Sequence, residues 1–175
     1  MIFCRFQLMG NIETDIALLA PVPYEHLDSA RSMKRVAFSS RSDEIWRLDQ
    51  LRGGKNVDVY IYASHAGIPE PAVTWKARFV EMVQAVGGVY PDPHRANEVR
   101  PLTTVTDTPD ALVFWEVEDL IELKTLPNPE PPIPLYRFRT WVDPNKYNEK
   151  NRGKVVKVPP YGPTLIWADL EPIKA

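Results

Sequence analysis

The chain has 175 residues, with 21 Lys+Arg against 23 Asp+Glu and a formal net charge of −2, which excludes a protein coated in positive charge that grips any polyanion. Hydrophobic residues make up 44% and charged residues 25%, the balance of a folded domain and not of a disordered chain. The apolar runs fall well short of the roughly 18 residues of a membrane helix, and the N-terminus lacks a secretory pattern. A cytoplasmic protein with no membrane partner is expected. The single cysteine, Cys4, allows no internal disulfide and no cysteine-based metal site.

The predicted elements follow from periodicity and from proline. There are 18 prolines, clustered at 127–134 (PNPEPPIP) and 159–163 (PPYGP). They mark connections, because proline lacks the donor that a central strand needs. Residues 16–20 read as a short strand. Residues 24–32 follow Pro23, which suits a first helical position, and Leu27 and Ala30 would face inward. Residues 35–39 form a second short strand. Over 43–52 the spacing predicts a helix. Ser42 can cap it, Asp43 and Glu44 sit in its first turn, Ile45, Leu48 and Leu51 recur every third residue, and Gly53–Gly54 stops it.

Three longer strands show a period of two. In 57–64 (VDVYIYAS), Val57, Val59, Ile61 and Ala63 alternate with Asp58, Tyr60, Tyr62 and Ser64. In 73–83 (VTWKARFVEMV), Val73, Trp75, Ala77 and Phe79 share a face opposite Lys76 and Arg78. In 111–117 (ALVFWEV), Val113, Trp115 and Val117 oppose Phe114 and Glu116. Residues 84–110 form a long connection, either a functional flap or a mobile loop. Residues 118–123 are an acidic turn that closes the strand before it, and 135–141 and 164–168 are further short strands. The fold class is therefore mainly β with short helices: a mixed, mostly antiparallel sheet whose closure into a small barrel would remove exposed edges.

Charge is segregated along the chain. Residues 31–55 hold seven basic and three acidic residues, 134–157 hold seven basic and two acidic, and 107–130 carry seven acids against Lys124 alone. If the two basic segments share a side, the protein has a basic face despite its net charge; solvated loops of mixed sign are the alternative.

Catalytic signatures are absent: no phosphate-binding glycine loop, no nucleophile elbow and no paired-histidine helix motif. His26, His65 and His94 are far apart, so no metal and no cofactor is implied. The 127–134 run has the spacing of a polyproline ligand, though a rigid connector against the barrel is the simpler role. Trp75 and Trp115 read as core. Trp46 sits one step off its helix stripe, and Tyr60 and Tyr62 share a less apolar face. The segment 38–42 (FSSRS) runs from a strand into a helix start, where backbone N–H groups, hydroxyls and Arg41 would converge on an anion. Aromatic rings beside basic groups are what a flipped or single-stranded nucleotide needs.

The order of an apolar strand with proline (ALLAPVPYEHL), a short helix, Lys34-Arg35-Val36-Ala37-Phe38, VDVYIYAS and VTWKARFVEMV resembles the PUA-like superfamily, and within it the ASCH and EVE branches. The resemblance covers roughly 15–84, with 112–123 as a fifth barrel strand. It implies a PUA-like (ASCH/EVE) pseudobarrel over about 15–123 within one domain, 1–175, on which the Pro-rich extension 124–175 packs. It also implies a cleft beside the first helix that binds RNA or DNA bearing modified bases. The expected cleft comprises Lys34, Arg35, Ser39, Ser40, Arg41 and Trp46, with Tyr60, Tyr62 and Arg78 nearby. The family's small amidohydrolases suggest an alternative, a hydrolase of a nucleoside-like substrate using Lys34 and Glu81, with Ala37 where those enzymes carry a threonine. A third reading is an interaction module that docks partners through its proline segments.

Overall fold

A computed structural model describes residues 15–64, 70–143 and 153–171. Cys4, His65 and the basic residues Lys146, Lys150 and Arg152 lie outside the described residues. The chain runs β1 (Ile16–Val22), α1 (Tyr24–Ser29), β2 (Arg35–Ser40), α2 (Glu44–Leu51), β3 (Val57–Ala63) and β4 (Ala72–Gln84). It continues with α3 (Pro93–Val99), β5 (Val113–Glu122), β6 (Ile133–Pro134) and β7 (Thr164–Trp167). Short 3-10 turns occupy Leu102–Thr106, Leu123–Thr125 and Leu135–Arg137.

The seven strands form one mixed sheet in the order β2-β5-β4-β3-β1-β7, with β6 beside β4. β1 and β3 are parallel, and every other pair is antiparallel. A parallel pair needs a long crossover, here supplied by α1, β2 and α2. The five strands expected to share a sheet do so. The barrel itself is not closed, because β2 and β7 end the path and do not pair. The outer edge of β7 is instead covered by residues 139–141. The Trp141 N–H donates to Leu165 O at 2.9 Å and the Trp167 N–H to Arg139 O at 3.0 Å.

The alternation read from sequence builds the main core. Val57, Val59 and Ile61 on β3, Trp75 and Phe79 on β4, and Val113, Trp115 and Val117 on β5 are buried together with Leu27 of α1 and Ile45 and Leu48 of α2. Truncating Trp75 or Trp115 to Ala would cost about 3–5 kcal/mol. Leu51, the third member of the α2 stripe, stays exposed, and Gly53 and Gly54 at φ 57° and 77° end the helix.

Val73 departs from its expected face. Pairing slips between Ile61/Tyr62 so that Thr74 is an extra residue, and Val73 turns into a second cluster with Tyr62 and Ile133. The acidic stretch expected to close β5 instead continues it to Glu122. Asp119, at φ 54°, takes up the extra length where pairing slips between Lys76 and Arg78.

The C-terminal third forms a second layer. Ile133, Leu135, Phe138, Val156 and Ile166 bury the face of β3 that carries Tyr60 and Tyr62. Phe138 lies 5.0 Å from the Tyr60 ring, and the Tyr62 hydroxyl donates to Pro160 O. Burial, reinforced by the nearby Asp58 carboxylate, pushes the Tyr60 phenol up to about 12.

The 84–110 connection is ordered. A hairpin turn pairs Val86 with Val89. Gly88 sits there at φ 79°, where an added Cβ would lie 1.9 Å from Pro109 O. Asp92 then caps α3, accepting from the N–H groups of His94 (2.9 Å) and Arg95 (3.2 Å), with Pro93 in the first turn. Tyr90, Val99, Ala111 and Phe114 pack beneath it on Ala37 of β2. The 3-10 turn that follows is tied to α1 by His26 Nδ1 and Thr103 Oγ1, 2.8 Å apart.

Candidate functional site

The open sheet leaves a cleft lined by parts of both its end strands. One wall is the end of β2 and the turn after it, Ser39 to Ser42. The other is the start of β7 and its Pro-rich approach, Pro160 to Thr164. The cavity measures about 610 Å³, inside the roughly 300–1,000 Å³ range of small-ligand sites. Pro21, Asp110, Ala111 and Trp115 complete its lining.

Local chemistry fixes the serine wall. The Ser42 N–H donates to Ser40 Oγ at 3.0 Å, and the Glu44 N–H donates to Ser42 Oγ at 3.1 Å. These hydroxyls therefore cap the turn into α2. The Glu44 carboxylate already receives the Leu165 N–H at 3.3 Å. The helix start expected to attract an anion is thus served by the chain's own groups. Ser39 is exposed. Arg41 and Asp110 are both exposed at the cleft and pair at 3.3 Å, a contact of small energy in water.

Trp115 is the unusual member of the lining. Its place in the β5 alternation buries it to 1% exposure, with the Phe38 ring 4.9 Å away. Its indole Nε1–H is buried and has no hydrogen-bond partner. Such an orphan donor costs about 1–3 kcal/mol. At the lip stands Tyr161, fully exposed, between Pro160 and Gly162. The titratable groups lining the cleft are Arg41, Asp110 and Tyr161. Among the described residues that line it, Asp110 is the one carboxylate and is paired with Arg41, and there is no imidazole.

Of the residues singled out from sequence, Ser39, Ser40 and Arg41 line this cleft; Lys34, Arg35, Trp46, Tyr60, Tyr62 and Arg78 do not. Lys34 is exposed just before β2. Arg35 is engaged by Glu116, by Glu81 at 2.5 Å and by Glu118 at 3.5 Å. Arg78 pairs with Asp119 at 2.8 Å and Glu118 at 3.7 Å. Tyr60 and Tyr62 are buried under the C-terminal layer, so neither offers a stacking face. Trp46 is 41% exposed, as its position off the helix stripe predicts, but on α2 outside the cleft. Glu81, the carboxylate paired with Lys34 in the hydrolase reading, is held by Arg35.

Sequence reasoning missed Asp110, Tyr161 and the second role of Trp115. Tyr161 carried a signal: a tyrosine within PPYGP belongs to no periodic element and is free to stay exposed. Trp115 carried none, because a strand alternation cannot show that a core residue also lines a cavity. No group of three His, Cys, Asp or Glu that could hold a metal occurs among the described residues, and none of their helices is long and apolar enough to cross a membrane. In comparison with known proteins, the chain matches no family model and no curated protein.

Proposed function

We propose that the chain is a non-catalytic, PUA-like nucleic-acid-binding module that receives one unstacked base of RNA or modified DNA in the cleft between β2 and β7. The observation that carries this reading is the fully exposed ring of Tyr161 at the mouth of a nucleotide-sized cavity whose walls also carry the exposed Ser39 and Arg41. Tyr161 supplies a stacking surface at the entrance, and stacking on an aromatic ring contributes about 1–3 kcal/mol per base. Ser39 offers a free hydroxyl. Arg41 would exchange its weak pairing with Asp110 for a phosphate, so binding should be only mildly salt-dependent, with a log–log slope of about −0.7 for a single strand.

Tyr161→Leu tests the reading, because it removes the aromatic face and keeps apolar bulk. Affinity for single-stranded oligonucleotides, measured by calorimetry, should fall roughly fivefold to tenfold, within the worth of one stacked base. Thermal unfolding run in parallel reports whether the core survives. Unchanged affinity in a folded variant, or no oligonucleotide binding by the parent chain, defeats the proposal. No observation speaks for a hydrolase built on Lys34 and Glu81: Glu81 pairs with Arg35 at 2.5 Å.

A further inference from the structure

A second cavity, also of about 610 Å³, adjoins the first, and Ser39 and Ala111 line both. It lies between the 84–110 segment and β2. Its inner wall includes Tyr90 and Phe114, whose rings are 5.2 Å apart. At its rim Leu102 and Val105 are 83% and 81% exposed, which is unusual for side chains of that size.

Besides the hydroxyls of Ser39, Thr104 and Thr108, this apolar wall carries an amide and two charged groups: Asn97, Arg100 and Asp107. The Arg100 guanidinium lies 4.9 Å from the Phe114 ring centre, donates to Ala37 O at 2.7 Å and meets Asp107 at 3.5 Å. Asp107 in turn lies 3.5 Å from His26 Nε2. A simple anion would be repelled by Asp107, and an aliphatic chain would offer no partner to the Asn97 amide or to the remaining donors and acceptors of Arg100 and Asp107. A flat heterocycle fits both halves. Its faces lie against the apolar side chains, and its edge carries donors and acceptors together, matching an amide, a guanidinium and a carboxylate.

Resting on the reading of the first cleft as a base site, we infer that the ligand is a dinucleotide step. One base occupies the cleft beside Trp115 and Tyr161. The adjacent base occupies the second cavity, and the phosphate between them passes the exposed hydroxyl of Ser39, the side chain common to both.

The experiment compares nucleoside 5′-monophosphates, single-stranded dinucleotides and trinucleotides on the full chain and on Leu102→Asp, by calorimetry. Leu102 is exposed, so the variant should unfold at the parent's temperature. The expected result is a dinucleotide bound about tenfold more tightly than a mononucleotide, the contribution of one further stacked base, with little more gained from a third. Leu102→Asp should erase that gain and leave mononucleotide binding as it was. A dinucleotide no tighter than a mononucleotide, or a gain that survives Leu102→Asp, overturns the second site while the first stands. Absence of binding by all three probes overturns both.

Discussion

The guanidinium of Arg35 reaches diagonally across the β2–β5 pair to the carboxylate of Glu116, whose side chain is wholly buried. Tyr90 donates its hydroxyl to the same carboxylate, and Arg95 approaches it at 3.3 Å. A basic residue that looks available in the sequence is therefore the counter-ion of a buried acid. Removing Arg35 leaves that buried charge to Arg95 and Tyr90 alone, so Arg35→Ala should destabilise the fold by about 1–3 kcal/mol. Urea denaturation checks the size of the loss. Oligonucleotide affinity in the folded fraction should stay unchanged; a selective loss of binding would return Arg35 to the ligand surface.

Tyr161 and Trp46 are two exposed aromatic rings on different surfaces among the described residues. Tyr161→Ala removes a fully exposed ring and should leave stability within about 0.5 kcal/mol, while weakening oligonucleotide binding by about 1–3 kcal/mol. Trp46→Ala, on α2 and outside the cleft, should leave affinity nearly as it was. Titrations of the two variants side by side decide the matter. The reverse pattern would place the ligand on α2.

Glu122 gives the fold an acid limit. Burial alone would push its carboxyl up, but Arg31 at 2.5 Å and Lys124 at 3.1 Å bring it below the usual glutamate range. A carboxylate with a depressed folded value contributes its stability fully above the unfolded value of about 4.3, and loses it as pH falls through the lower folded value. Glu122→Gln should therefore be less stable than the parent at pH 7, and the difference should shrink below about pH 4. Melting temperatures of both proteins across pH 3–7 test the sign. A difference independent of pH would assign the effect to packing.

Much of the sheet was legible because period-two alternation directly reports which side chains meet the core. Val57, Val59 and Ile61 and the trio Val113, Trp115 and Val117 land where the pattern puts them. Val73 does not, because the extra residue Thr74 reverses the faces at that point, and a bulge leaves no mark on local hydrophobicity. Tyr60 and Tyr62 read as a half-polar outer face, since the layer that buries them comes from residues 133–166. The helix α3 was not read from the sequence, because the glycines and prolines around Asp92-Pro93 made 84–110 look like one long connection. At the cleft, the local turn Ser39–Arg41 was legible, whereas its opposite wall depends on β7 reaching back to β1, a pairing that sequence spacing does not encode.

That pairing sets an order of events in folding. Ile16 joins Trp167 and Leu18 joins Leu165, contacts that close almost the whole described chain into one loop. Such non-local closure is slow compared with hairpins such as β3–β4. During synthesis β1, β3, β4 and β5 can assemble while residues 153–167 are still unmade. Over that interval β1 has an unpaired edge, the surface through which nascent strands associate wrongly. The wall that carries Tyr161 arrives with β7, so the cleft is completed at the final step of folding, and the same step removes the exposed edge.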